Sequence, residues 1–368
     1  MTETLPAPRS RAPEATRRNR RRRLPFLALG LASFLAALYG GLWRLGWPLP
    51  HGERLGEIHG PLMICGFFGT LIGLERAVAL GKSWCFAAPL LSSAAALSLL
   101  AGLPAVYAAA AFVVSAAVLA CASLTTLRED RQIFTALLAG AAACWGIGSL
   151  RWLNTESVPP AAPWWLMFLV LTIAAERLDM SRLLGVSRVG LAAFLGCVAL
   201  LVGGASLGLF DPLGAPLLGG GFLGLAVWLL RHDIALRNLR RAPHLRFFGV
   251  SMAAGYLWLG AAGMALLVAP PAVAPYGYDL TLHAILIGFV LSMAFGHSVI
   301  VIPAITGAAA PYHPTMYVGL ALLHASVAAR LCGDLLAYEP ARLASGALTV
   351  CGLIAFGVAL GWRIRFRT

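Results

Sequence analysis

Twelve apolar stretches of about 20 residues, the length that a helix needs to cross a bilayer, follow one another along the 368-residue chain. Only 12% of the residues are charged, which is about half the fraction found in a typical soluble domain. The sequence therefore predicts an all-α membrane protein, a bundle of about twelve transmembrane helices. The predicted spans are residues 24–46, 58–79, 84–103, 104–126, 133–153, 163–178, 189–210, 214–232, 245–269, 280–304, 315–338 and 341–362.

The formal net charge of +13 would suggest nucleic-acid binding in a soluble protein, but its distribution favours a membrane topology. With the N-terminus in the cytoplasm, 23 of the 28 Lys and Arg residues fall in the N-terminal tail and other inner segments. The outer loops hold only Arg44, Arg54, Arg151 and Arg342. This asymmetry follows the positive-inside rule. We therefore expect both termini to be cytoplasmic, with the lipid bilayer as a partner and no nucleic acid.

Two regions are predicted: residues 1–23 form a basic, disordered cytoplasmic tail, and residues 24–368 form one polytopic transmembrane domain with short loops. Internal symmetry is common in polytopic proteins. The dipeptides Glu75-Arg76 and Glu176-Arg177 end the second and sixth spans, a spacing that suggests three four-helix units. The alternative is coincidence, because charged residues occur wherever a helix meets the cytoplasm.

Four histidines lie inside the predicted spans, where an imidazole is costly and usually faces a cavity, a partner or a cofactor. His59 and His283 lie near the outer ends of the second and tenth spans, so we expect both rings to reach one site. His297 and His324 lie at similar depth near the inner side and form a candidate metal site. Neutral imidazole is a common ligand of metals and of haem iron. The alternative is that each ring only forms hydrogen bonds between helices.

Arg330 lies in the eleventh span, toward its outer end. Asp334 follows at i+4 and is a candidate ion-pair partner, and snorkelling to the outer surface is an alternative. A third interpretation is that the Arg330 guanidinium holds a haem propionate, because its forked donors fit a carboxylate. Gly66, Gly69 and Gly73 leave a smooth face on the second span, which would allow close approach of a helix or of a flat ring.

The phrases His59-Gly-Pro-Leu-Met, His283-Ala-x-x-x-Gly-Phe and Phe295-Gly-His297 resemble the NnrS family of bacterial twelve-helix membrane proteins, which contain haem and copper and are linked to nitric oxide stress. The layout resembles, more distantly, the main subunit of haem–copper oxidases. The resemblance implies that His59 and His283 are the axial ligands of haem b, and it makes copper a second candidate cofactor. It also implies a location in the bacterial inner membrane.

The chain departs from both families in its histidines. His59 is followed by Gly60 and not by the usual glutamate, and the spans 163–178 and 189–210 hold none of the copper-binding histidines of oxidases. Oxygen reduction and proton pumping are therefore disfavoured. The expected function is haem binding, with copper as a candidate, in a redox or nitric-oxide-related role, and whether the protein is an enzyme stays open. The alternatives are a secondary transporter whose histidines relay protons and a structural membrane subunit without a cofactor.

Overall fold

The computed structural model describes residues 12–306 and 312–365, and every regular element in these ranges is helical. We number the twelve long helices in chain order. They are α1 (Ala12–Arg44), α2 (His59–Leu80), α3 (Ser83–Leu100), α4 (Ala105–Glu129), α5 (Ile133–Thr155), α6 (Ala162–Ser181), α7 (Arg188–Leu207), α8 (Gly214–His232), α9 (Pro243–Val268), α10 (Gly277–Ile300, continuing to Thr306), α11 (Met316–Leu335) and α12 (Glu339–Arg365). Short helices Gly52–Glu57 and Ala235–Asn238 lie in two connections.

Eleven helices in the described part of the chain are long and apolar enough to cross a membrane, and α6 is the twelfth long helix. The last turns of α6 carry Glu176, Arg177 and Asp179, which shorten its apolar segment. Most of its residues are buried by other helices, and it packs against α5, α7, α2 and α10. Helix α6 is therefore sheltered mainly by protein, which explains why a helix with charged residues is accommodated there.

The ends of the helices agree with the predicted spans to within a few residues, except at the N-terminus. Residues 12–23 of the predicted disordered tail belong to helix α1, while residues 1–11 lie outside the described residues. The segment 84–126 forms two helices, as predicted, and the turn between them lies between Leu100 and Ala105. At the other end of the chain, α10 begins at Gly277 and not at residue 280, which brings Asp279 into the helix.

Both helices that carry the predicted site histidines are widened by a π-helical segment. In α2 this segment covers Leu62–Gly69, just after His59, and in α10 it covers Ala284–Leu291, directly after His283. Short π-helical segments inside α-helices occur frequently at functional sites. The two matching segments therefore mark the region between α2 and α10 as a candidate site, independently of the residue types found there.

The small residues of α2 serve helix packing. A Cβ atom on Gly69 would lie 2.6 Å from the ring of Trp145, and one on Gly73 would lie 3.2 Å from Pro89. Gly66 packs against Ser33 and Ala96 in the same way. Of the two uses considered for this smooth face, the structure shows close approach of neighbouring helices. The three four-helix units stay a prediction.

Candidate functional site

A pocket lies between helices α1, α2, α10, α11 and α12, at the end of the bundle that carries His59 and His283. We call this the pocket end of the bundle. The pocket is partly open to solvent, and its cavity volume is about 60 Å³. Its polar lining groups are His59, His283, Arg330 and Thr349. The apolar walls are formed by Phe34, Leu38, Leu42, Leu45, Met63, Phe68, Leu286, Ile287, Leu291 and Leu353.

The structure brings His59 and His283 together across this pocket. Their ring centroids are 6.3 Å apart, and the ring planes are inclined by only 17°. The two histidines come from helices that are far apart in sequence, and both line the same cavity. The prediction that these two rings converge on one cavity is therefore confirmed, and their role as cofactor ligands stays a prediction.

Each ring is held through its Nδ1 atom. His59 Nδ1 lies 2.6 Å from the carbonyl oxygen of Ala37 on α1, and His283 Nδ1 lies 2.8 Å from the carbonyl oxygen of Asp279. Because a carbonyl oxygen can only accept a hydrogen bond, Nδ1 of each neutral ring carries the proton. The Nε2 atom of each ring is then an unprotonated acceptor, with no hydrogen-bond partner in the described part of the chain.

Helix α1 approaches His59 closely because Gly41 has no side chain. A Cβ atom at this position would lie 2.8 Å from Cε1 of the His59 ring, a separation that cannot be tolerated without movement of the ring. One turn earlier on α1, Ala37 supplies the carbonyl oxygen that holds the same ring. Helix α1 therefore fixes both the position and the hydrogen bonding of His59.

Arg330 reaches the pocket, but its main partner differs from the predicted one. Its Nε and Nη2 atoms donate to the two carboxylate oxygens of Asp279, at 2.7 and 2.8 Å. The predicted partner Asp334 lies farther away, at 3.8 Å from Nε. Arg330 is buried, so snorkelling does not describe it. A forked pair of this kind is among the strongest charge-assisted hydrogen bonds.

Asp334 instead pairs with Arg342, which the sequence analysis assigned to an outer loop. Arg342 Nε donates to Asp334 at 2.7 Å, and Nη1 donates to Glu339 at 2.8 Å. The guanidinium also lies 3.9 Å from the centroid of the Tyr276 ring. The Tyr276 hydroxyl donates a hydrogen bond to the Glu339 carboxylate, and this bond raises the pKa of Tyr276. These groups form a cluster of charges around Arg330 at the pocket end.

Asp279 is the residue of the site that the sequence analysis missed. The predicted span begins at residue 280 and therefore excludes Asp279. A signal was present, because Asp279 precedes His283 by four residues, and residues at this spacing lie on one face of a helix. The structure places Asp279 Oδ1 3.1 Å from His283 Nδ1. Its negative charge is tolerated in the helix because Arg330 neutralises it.

The structure gives His297 and His324 separate hydrogen-bond partners, and a metal site at these two residues stays a prediction. His297 Nδ1 contacts the carbonyl oxygen of Met293, and its Nε2 accepts a hydrogen bond from Arg177 at 3.0 Å. His324 Nδ1 accepts a hydrogen bond from Trp258 at 2.9 Å. No ring contact joins the two histidines in the described residues. No group of three or more His, Cys, Asp or Glu side chains suited to a metal ion occurs there either.

The guanidinium of Arg177 disfavours metal binding at His297. It occupies the lone pair of His297 Nε2 that a metal ion would need, and its positive charge would repel a cation. Sequence depth alone placed His297 and His324 at one level, but it did not reveal that helix α6 presents Arg177 to His297. Arg177 is buried and lies over the ring of Phe248.

The two Glu-Arg dipeptides contact each other at the end of the bundle opposite the pocket. Arg76 Nη2 donates to Glu176 Oε1 at 2.5 Å, and Glu75 lies 3.9 Å from the same Arg76 atom. Both side chains of the Arg76–Glu176 pair are about three-quarters shielded from solvent. The pattern that suggested a repeat is therefore an ion pair between helices α2 and α6.

We expect a coupling free energy of about 1 kcal/mol between Arg76 and Glu176, because the pair is partly buried and short. The measurement is a double-mutant cycle with Arg76→Gln, Glu176→Gln and the double variant, unfolded reversibly in detergent. The exposed pair Lys82–Glu129, at 3.2 Å, is the matched control and should show almost no coupling. Equal coupling in the two cycles would contradict the expectation.

Neither a curated protein nor a solved structure matches the chain. One protein-family model does match, and it covers residues 23–364. This range includes all of the long helices apart from the first turns of α1 and the last residue of α12. The chain belongs to the family described as a domain of unknown function, DUF8744.

Proposed function

We propose that this protein binds haem b between His59 and His283 and serves in electron transfer within the membrane. The observation that carries the proposal is the pair of near-parallel imidazoles with centroids 6.3 Å apart. Two imidazoles that share one metal through bonds of about 2 Å have ring centroids about 6 Å apart. The observed separation fits this arrangement.

The hydrogen bonding of the two rings supports the same assignment. Histidines that ligate a metal usually donate their other ring N–H to a carbonyl or carboxylate group, which fixes the tautomer and the ring orientation. Ala37 and Asp279 act in this way on His59 and His283. Both Nε2 atoms are thereby left as neutral acceptors, the form that a metal requires.

The chemistry of the pocket lining suits a mostly apolar cofactor with acidic groups. Its walls are aliphatic and aromatic, and cofactor sites are typically apolar with a few oriented polar groups. Arg330 Nη1 has no hydrogen-bond partner in the described residues and could donate to a propionate. The resemblance of the phrases around His59 and His283 to the NnrS family supports the proposal. When bound, the haem supplies a one-electron redox couple.

The two histidines favour electron transfer over ligand binding. If His59 and His283 both hold the iron, the site would offer no free ligand position to an external molecule. A nitric-oxide-related role, which the family resemblance implies, would need one imidazole to move away. Copper at His297 and His324 is not part of the proposal, because Arg177 occupies the acceptor atom of His297.

The alternative of a transporter with proton-relaying histidines is less well supported. A relay histidine must accept a second proton, and on His297 that proton would have to bind Nε2, which faces the Arg177 guanidinium. His324 Nε2 is buried without a hydrogen-bond partner in the described structure, so no proton acceptor adjoins it there. These contacts favour a structural role for both side chains.

An absorption spectrum of the purified protein, expressed with haem precursor and washed in detergent, tests the proposal. We expect a Soret band and, after reduction, the sharp visible bands of a six-coordinate low-spin haem b. Pyridine extraction should give about one haem for each chain, because the pocket has one pair of facing imidazoles. A protein that folds and inserts but binds no haem under these conditions would contradict the proposal.

We also propose that the protein resides in the bacterial inner membrane with both termini in the cytoplasm, which places the pocket end outside. The support is the asymmetry of the Lys and Arg residues. Reporter fusions after Thr368 should give a cytoplasmic signal, and fusions within residues 270–278 should give an external signal. The reverse pattern would contradict the orientation without affecting the geometry of the pocket.

A further inference from the structure

The two facing histidines of the pocket differ in the group that accepts their Nδ1 proton. His59 contacts one acceptor, the carbonyl oxygen of Ala37, at 2.6 Å. His283 has two acceptors within reach, because Oδ1 of the Asp279 carboxylate lies 3.1 Å from its Nδ1, next to the carbonyl oxygen at 2.8 Å. Arg330 Nη2 also lies 3.5 Å from His283 Nδ1. The site is therefore asymmetric, because His59 is held by a neutral peptide group alone, whereas His283 lies beside the Asp279–Arg330 ion pair.

The Asp279 carboxylate is itself fixed in place. Arg330 binds both of its oxygens at 2.7 and 2.8 Å, and Arg342 Nη2 approaches Oδ2 at 3.7 Å. A forked guanidinium–carboxylate pair has a defined geometry, so the carboxylate cannot rotate away from His283 without breaking it. Asp279 is the shorter link between Arg330 and the His283 ring, because the direct contact from Arg330 Nη2 to His283 Nδ1 is 3.5 Å.

We propose that Asp279 is a positioning residue that orients the His283 ring and lowers the reduction potential of the metal bound there. The inference rests on the proposed haem function and deepens it. A carboxylate that accepts a hydrogen bond from a ligating imidazole raises the basicity of that ligand. A more strongly donating imidazole stabilises the oxidised, more positively charged iron, and the midpoint potential falls.

The test compares haem-loaded wild-type protein with Asp279→Asn by potentiometric titration and by electron paramagnetic resonance of the oxidised form. Asparagine has nearly the same shape and retains an oxygen acceptor, but it lacks the negative charge. We expect a higher midpoint potential in the variant, with at least a tenfold change in the ratio of oxidised to reduced haem at fixed potential. For a one-electron couple this change corresponds to about 59 mV. The g values should also shift, because they report on the ligand field of the imidazoles.

Asp334→Asn is the matched control, because it removes a carboxylate from the same charge cluster at the pocket end. Asp334 lies 3.8 Å from Arg330 Nε and has no contact with His283 in the described structure. We expect a smaller rise in potential and unchanged g values. The double variant Asp279→Asn/Arg330→Gln removes one charge of each sign and guards against misfolding of the single variant. Its g values should shift like those of Asp279→Asn.

The outcomes separate this inference from the function on which it rests. If the wild-type protein binds no haem, the proposed function fails and the role of Asp279 fails with it. If the wild-type protein binds haem, and Asp279→Asn has an unchanged potential and unchanged g values, only the role of Asp279 is overturned. Equal changes of both quantities in Asp279→Asn and Asp334→Asn would also overturn it, because a general field effect would then explain them.

Discussion

Replacing either His59 or His283 with alanine should abolish the low-spin haem spectrum of the purified protein. Each substitution removes one of the two facing imidazoles and leaves at most one axial ligand. We expect a loss of the sharp reduced bands in both variants, through loss of haem or conversion to a high-spin form. The measurement is the reduced-minus-oxidised spectrum, normalised to protein that has inserted and purified as a single species.

His324→Ala is the control for these variants. The His324 ring accepts a hydrogen bond from Trp258 and does not line the pocket. Its spectrum should match that of the wild-type protein, although loss of one buried hydrogen bond could reduce stability by about 1 kcal/mol. Unchanged spectra in His59→Ala and His283→Ala would refute the assignment of the axial pair. Loss of the spectrum in His324→Ala alone would do so as well.

Arg330→Gln should destabilise the folded protein strongly, by about 3 kcal/mol. Arg330 is the main partner of Asp279, whose side chain is only 26% exposed, and the substitution removes the forked donor of that carboxylate. Asp334, whose side chain is completely buried, also loses a nearby positive charge. The free energy of unfolding, measured by denaturant titration in detergent, checks the expectation.

The double variant Arg330→Gln/Asp279→Asn shows whether the cost comes from the unpaired charge. Breaking a buried ion pair by removing one partner is far more costly than replacing both partners with neutral groups. We therefore expect the double variant to recover most of the lost stability. If the double variant is as unstable as the sum of the two single variants, the charge pair does not explain the effect of Arg330.

The positions of the helices could be predicted from the sequence because they depend on local properties. An apolar segment of about 20 residues forms a helix whatever its neighbours are, and the ends of α8, predicted as 214–232, agree with Gly214–His232 in the structure. The convergence of His59 and His283 could also be predicted, because equal depth on two helices is set by the distance of each histidine from its helix end. The π-helical segments beside the two histidines could not be predicted from the hydrophobic pattern.

The partner of each polar side chain was decided by the tertiary structure. The i+4 spacing made Asp334 the expected partner of Arg330, and depth in the membrane made His324 that of His297. The structure instead pairs Arg330 with Asp279 and His297 with Arg177. The first contact joins α10 and α11, the second joins α6 and α10, and both depend on how each helix is rotated about its axis. Hydrophobicity in a uniformly apolar helix leaves that rotation undefined, so only the packing of α6, α10 and α11 could determine which charges meet.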